Sequence, residues 1–329
     1  MINNITANLK GVDKMLQLIL LILGFILLVK GADYFVDGAS LIARRFRIPS
    51  SVIGLTIVAF GTSAPELAVS ISAALKGNNA IAIGNVVGSN IVNLLIVVGL
   101  SALIKPMAVN KSVILKDYPF SILASLSLLL LSWDSHAGTL PVMSLSRNDG
   151  LILLLFFIIF MYSLIPSAIN DKTPSDESVS ATSFRKSLFF TVLGLVGVVA
   201  GGNLVVDSAS AIASAFGISE TIIGLTIVAI GTSLPELVTS LIAARKGESD
   251  LAIGNVLGSN IMNIFLILGV SATIYPIDID LTSITDMIIL TLVTVIYFVP
   301  VLFKKRISRV TGTFMIITYC IYSFYILTR

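Results

Sequence analysis

AFGTSAPEL runs from Ala59 to Leu67, and AIGTSLPEL runs from Ala229 to Leu237. Each lies in an otherwise apolar stretch and carries a glutamate, Glu66 or Glu236, directly after a proline. Proline breaks the hydrogen-bond ladder of a helix, and a carboxylate is costly in hydrocarbon. Placing both together twice implies a use for them.

The surroundings define the kind of chain. Of 329 residues, 56% are hydrophobic and only 12% are charged, against roughly a quarter charged in a soluble domain. The apolar residues come in runs near the roughly 20 residues that a helix needs to cross a bilayer. The short alternating segments of a β-barrel are absent. An all-α polytopic membrane protein is expected, with spans near 15–43, 50–75, 80–104, 117–133, 150–165, 187–214, 220–244, 251–274, 284–302 and 310–327. Spans one and six exceed the hydrocarbon thickness and are expected to tilt. The first run continues without a small-residue cleavage motif, so it reads as a span and not as a signal peptide. One cysteine, Cys320, and one histidine, His136 in a polar connection, leave no inventory for a soft-metal site or a disulfide framework. The net charge of +3 requires no nucleic-acid partner; membrane lipid is the expected surrounding.

Working outward from the two quoted segments, residues 31–106 align with 201–276 without a gap, and 42 of the 76 positions are identical. Equivalent points lie five spans apart. Five is odd, so the second copy enters the membrane upside down, as in many secondary transporters. The expected architecture is therefore ten helices in two inverted five-helix repeats, with helices 2 and 7 broken. Their bounds are 1–165 (motif 54–93) and 187–329 (motif 224–263), joined by a short polar connection at 166–186.

Charge placement tests the inversion independently. With the connections assigned alternately to two sides, one side holds fifteen Lys and Arg residues and the other holds five. Positive charge collects on the cytoplasmic side, so both termini are expected outside. The RRFR at 44–47 becomes SAFG at 214–217, while Leu75 becomes Arg245. Basic residues disappear where copy two would face outward, and one is added where it would face inward.

The motif chemistry is that of hard oxygen. On a helix, Ala59, Thr62, Ser63 and Glu66 share a face, and so do Ala229, Thr232, Ser233 and Glu236. Pro65 and Gly61, like Pro235 and Gly231, open the backbone, which is tolerated at membrane depth only where it lines a cavity or is buried in protein. GNVVGSNIVN (84–93) and GNVLGSNIMN (254–263) follow. They add Ser89 with Asn93, and Ser259 with Asn263, four residues apart. Gly84 with Gly88, and Gly254 with Gly258, suit close helix packing. Oxygen-only donors suit Ca²⁺ and Na⁺. Two carboxylates match one Ca²⁺, two Na⁺ or two protons. Asn85, Asn90, Asn255 and Asn260 read as packing or capping residues. Asp37 and Asp207 recur near span ends and read as interfacial, and Lys30 is within pairing distance of Asp33.

The paired GTSxPE and GNxxGSNIxN segments resemble the α-repeats of the sodium/calcium exchangers, within the wider cation/calcium exchanger superfamily. The chain looks like a prokaryotic member without regulatory domains. The resemblance implies ion ligands at Ala59 (carbonyl), Thr62, Ser63, Glu66, Ser89 and Asn93, and at Ala229, Thr232, Ser233, Glu236, Ser259 and Asn263. It also implies that spans one and six slide across a static core. Many family members carry an aspartate where this chain has Asn263, and its absence argues against potassium dependence.

The expected activity is antiport of Ca²⁺ against Na⁺, extruding Ca²⁺, with no cofactor besides the transported ions. The alternatives are a proton-coupled divalent-cation antiporter and, ranked lower, a cation channel. An enzyme is disfavoured, because HExxH, GxGD and GxxxxGK[ST] are all absent.

Overall fold

The computed structural model describes residues 2–133, 143–170, 184–216 and 229–328. Its helices are α1 (Ile2–Phe46), α2 (Ser50–Thr62), α3 (Ala64–Leu75), α4 (Ile81–Ile104), α5 (Val113–Leu131), α6 (Arg147–Asn170), α7 (Phe184–Ala215), α8 (Ala229–Thr232), α9 (Leu234–Lys246), α10 (Ser249–Ile274), α11 (Leu281–Lys304) and α12 (Arg309–Thr328). Among the described residues, eight helices are long and apolar enough to cross a membrane, and bent α2–α3 makes a ninth. The span expected at 220–244 is described only as α8 and α9, because residues 217–228 lie outside the described set, as does His136. Helix α6 runs through Pro166 to Asn170 and α7 starts at Phe184, so helix occupies both ends of the connection expected at 166–186.

Helices α10 and α4 form the centre. In their apolar windows 94% and 72% of residues are buried, against 22% in α1 and 17% in α6. The outer helices turn large apolar side chains outward, among them Ile19, Ile22 and Ile26 of α1 and Ile158 of α6. Lipid is the solvent for such a surface, and helices satisfy their own backbone there.

Between helices in lipid there is little hydrophobic drive, so small residues set the packing. A Cβ at Gly254 would lie 2.6 Å from the Ser51 carbonyl oxygen, and one at Gly258 would lie 2.7 Å from the Leu55 Cα. Glycine is what lets α2 lie against α10. The same was expected of Gly84 and Gly88, but no atom of the described residues comes within 4 Å of a Cβ at either. Helices α1 and α7 run antiparallel along a second seam. Gly24, Gly31 and Gly38 recur every seven residues on α1. A Cβ on Gly31 would lie 2.6 Å from the Gly197 carbonyl carbon, and one on Gly201 2.4 Å from the Leu28 nitrogen.

Both quoted segments break where the prolines stand. Helices α2 and α3 meet at Ser63 (φ −82°, ψ 8°) with a bend of 51°. Helices α8 and α9 meet at Ser233 (φ −86°, ψ 3°). Pro65 and Pro235 then fall in the first turn of the following helix, where a missing N–H is harmless. Helices α4 and α10 each contain a π-helical turn, Asn93–Val97 and Asn263–Leu268. Each turn begins on an asparagine singled out from the sequence.

The expectation of a purely helical chain needs one correction. Four two-residue strands form antiparallel pairs: β1 (Met107–Ala108) with β4 (Arg306–Ile307), and β2 (Ser144–Leu145) with β3 (Ile277–Asp278). They give partners to backbone groups that helix ends leave unpaired. Each pair joins the first half of the chain to the second.

Candidate functional site

The breaks in α2–α3 and α8–α9 bring Glu66 and Glu236 to the start of α3 and α9. Both glutamates are fully buried, as are Thr62, Asn93, Ser259 and Asn263, while Ser63, Ser89, Ser233 and Thr232 are nearly so. The hydrogen bonds run between the halves. Ser63 Oγ donates to Glu236 Oε1 at 2.8 Å, and Ser259 Oγ donates to the same oxygen at 3.3 Å. Ser233 Oγ donates to Glu66 Oε1 at 3.4 Å. None of the ion pairs among the described residues involves either glutamate.

The threonines also reach across. Thr62 Oγ1 lies 3.0 Å from Asn255 Oδ1 and 3.3 Å from the Ala59 carbonyl. A hydroxyl has one hydrogen, so the shorter contact to Asn255 leaves Ala59 a lone pair. Thr232 Oγ1 donates to Asn85 Oδ1 at 3.5 Å. Asn85 donates to the Glu66 carbonyl (3.3 Å) and to Ser70 Oγ (2.9 Å). Asn255 does the same to the Glu236 carbonyl (3.5 Å) and to Ser240 Oγ (2.9 Å).

Several oxygens have no partner among the described residues: Glu66 Oε2, Glu236 Oε2, Asn93 Oδ1, Asn263 Oδ1 and Ser89 Oγ. Buried polar atoms are almost always bonded, so a cluster of unbonded ones requires a cause. All five can donate a lone pair to a cation, and four of them carry no hydrogen. No group of three or more Asp, Glu, His or Cys that could hold a metal occurs among the described residues.

Of the twelve residues singled out, eleven have described side chains and lie on the elements around the two glutamates. Ala229 lies at the start of α8, and its side chain is outside the described set. Sequence reasoning read Asn85, Asn90, Asn255 and Asn260 as packing or capping residues. The structure makes all four part of the cross-half network. The available signal was their recurrence at the same offset as the glutamates. Asp33 does not pair with Lys30; Lys246 Nζ lies 2.7 Å from Asp33 Oδ1 and 2.7 Å from Asp37 Oδ1.

With that geometry in view, comparison with known proteins is informative. The family described as sodium/calcium exchanger protein matches residues 16–165 and 186–328. The chain belongs to this family. Inner membrane protein YrbG of Escherichia coli is 36% identical over 288 residues, covering 84% of this chain and 86% of YrbG. Sodium/calcium exchanger MaX1 of Methanosarcina acetivorans is 35% identical over 294 residues, covering 79% of this chain and 84% of MaX1. Among solved structures, the sodium-calcium exchanger NCX_Mj soaked with 10 mM Na⁺ and zero Ca²⁺ superimposes with a TM-score of 0.83. It is 34% identical, and the match covers 94% of this chain and 98% of NCX_Mj. The chain is thus an integral, multi-pass, helical membrane protein of the sodium/calcium exchanger family.

Proposed function

We propose that this exchanger moves Ca²⁺ against Na⁺ by alternating access around Glu66 and Glu236, extruding Ca²⁺. One observation carries the reading. Among the described residues each glutamate is buried without a basic partner, is bonded by a serine from the other half, and keeps one unbonded oxygen. An isolated buried carboxylate is strongly disfavoured, so the pair calls for counter-cations. One Ca²⁺ or two Na⁺ neutralise it. Competition for one set of oxygens is what couples the two fluxes.

The proposed ligands are Glu66, Glu236, Ser63, Ser233, Ser89, Ser259, Asn93, Asn263, Thr62 and Thr232, with the carbonyls of Ala59 and Ala229. We take the architecture as ten spans in two inverted five-helix repeats, 1–165 and 187–329, with a cytoplasmic linker near 166–186 and both termini outside. The strand pairs agree with that topology. The 3–4 connection pairs with the 9–10 connection, and the 4–5 with the 8–9, so each pair lies on one side. The Arg44–Glu248 ion pair likewise joins the 1–2 and 7–8 connections.

The test is ⁴⁵Ca²⁺ flux in proteoliposomes under separately imposed Na⁺, K⁺ and proton gradients. Flux driven by Na⁺ alone is expected. Flux driven by a pH gradient without Na⁺ would replace the coupling ion while keeping the site.

A further inference from the structure

Asn90 and Asn260 sit back to back at the centre of the molecule. Asn90 Nδ2 donates to the Asn260 backbone carbonyl at 3.0 Å, and Asn260 Nδ2 donates to the Asn90 carbonyl at 3.2 Å. Asn93 Nδ2 donates to Asn260 Oδ1 at 3.2 Å, and Asn263 Nδ2 donates to Asn90 Oδ1 at 3.0 Å. An asparagine amide has a donor end and an acceptor end. A backbone carbonyl only accepts, so Asn90 and Asn260 must turn their NH₂ groups toward each other's main chain. That leaves their Oδ1 atoms to accept, and only NH₂ can satisfy them. Asn93 and Asn263 must therefore present NH₂ to the centre and Oδ1 away from it. Those two Oδ1 atoms are the buried, unbonded ones.

We propose that Asn90 and Asn260 are positioning residues. Each fixes the amide of the ligand in the opposite half, so that Asn263 and Asn93 offer oxygen and not NH₂ to the ion. This rests on the exchange site proposed above. A flipped amide would aim a partial positive charge at a cation, so the pair determines whether the neutral ligands attract or repel. The crossing is specific: Asn260 acts on Asn93, and Asn90 acts on Asn263.

Calorimetric Ca²⁺ titration of the purified full chain tests this by double-mutant cycles. Asn260→Ala should weaken Ca²⁺ binding about tenfold, the low end for loss of an outer partner of a ligand. Combined with Asn93→Ala it should add little, whereas its loss and that of Asn263→Ala should multiply. Asn260→Asp, which keeps the acceptor oxygen, should recover most of the affinity and serves in the same cycle if the alanine variant does not fold. Losses that multiply in both pairings would overturn the positioning role. If Asn93→Ala alone leaves binding unchanged, the site assignment itself fails.

A second observation concerns the ends of the molecule. The repeat makes Lys76 and Asp207 the counterparts of Lys246 and Asp37. Lys246 bridges Asp33 and Asp37 of α1, and Arg44 pairs with Glu248 at 2.7 Å. Neither Lys76 nor Asp207 has an ion-pair partner among the described residues, and both are exposed. Helix α1 packs far more extensively along α9 than α7 does along α3. We infer that the two ends are reciprocal latches: Lys246 holds α1 in this state, and Lys76 captures Asp207 of α7 when the α1–α7 pair has moved. This too rests on alternating access. The counterparts of Arg44 and Glu248 are Ser214 and Asn78, so the basic end holds with more charge.

A short bis-maleimide should link Cys at 246 and 37 readily in the Lys246→Cys, Asp37→Cys, Cys320→Ser chain. It should link the Lys76→Cys, Asp207→Cys, Cys320→Ser chain only as ion conditions shift the state. Each link should block flux. Equal linkage of the two pairs under every ion condition, or none at 76 and 207 under any, would overturn the inference.

Discussion

Glu66 and Glu236 occupy equivalent places in the two copies, yet they are held differently. Glu236 receives two serine hydroxyls, at 2.8 and 3.3 Å, while Glu66 receives one, at 3.4 Å. The serine that would complete the second set, Ser89, has an unbonded hydroxyl. The two copies share their ligand types, so composition does not account for the difference. It arises from how the halves sit in this conformation.

The largest test of that comparison removes the carboxylates. Glu66→Gln and Glu236→Gln should each lower Na⁺-driven Ca²⁺ flux by at least about a hundredfold, the upper end for loss of an outer-shell partner. Normal flux in either variant would show that only one half carries the ion. A smaller effect separates the serines. Ser63→Ala should weaken Ca²⁺ binding by about tenfold, in line with loss of a hydrogen bond to a charged group. Ser233→Ala, which removes the longer bond, should cost only a few-fold. Equal losses by calorimetry would mean the loaded site is symmetric even though this conformation is not.

The next contrast lies one turn further along. Thr239 is buried, with no hydroxyl partner among the described residues, where the first copy has Val69. An unsatisfied buried hydroxyl costs about 1–3 kcal/mol, so Thr239→Val should raise the melting temperature. A fall in Ca²⁺ affinity instead would add Thr239 to the ion's ligands and make the halves chemically unequal.

The smallest effect is at the surface. Asp280 caps α11, accepting from the Ser283 N–H at 2.8 Å, whereas its counterpart Asn110 bonds Asp250 at 2.6 Å. Hydrogen bonds from Ser283, then from Thr282, hold the Asp280 carboxyl below its usual pKa. A depressed folded pKa stabilises above the ordinary carboxylate value and is lost as pH falls below it. Asp280→Ala should therefore cost about 1 kcal/mol near neutral pH and progressively less in acid, as followed by thermal melting.

Much of this was legible from two nine-residue strings. Their offset identified the repeat, and their proline–glutamate pair identified the breaks at Ser63 and Ser233. The hydroxyl spacing identified the side chains around the glutamates. The cross-half bonds were not legible, because Ser63 meets Glu236 only through the packing of α2 against α10, and spacing along one helix cannot report it. The partners of Asn90 and Asn260 were hidden for the same reason: their bonds run to the other half and not along their own helices. The latch asymmetry could not be read at all, since a repeat that matches Lys76 with Lys246 does not specify which end is closed. The strands escaped because two-residue pairings carry no alternation.

Those strands set a timetable. Met107 pairs with Ile307, a partner about 200 residues further along the chain. At about 5–20 residues per second, β1 waits some 10–40 s for it during synthesis. For the greater part of that interval Ser63 lacks Glu236 and Asn90 lacks Asn260, so the early half is a membrane protein with exposed polar gaps. The proposed ion site can close only once α10, which carries Ser259 and Asn263, has been delivered. A ribosome that stops before Glu236 releases an open half rather than a weaker exchanger.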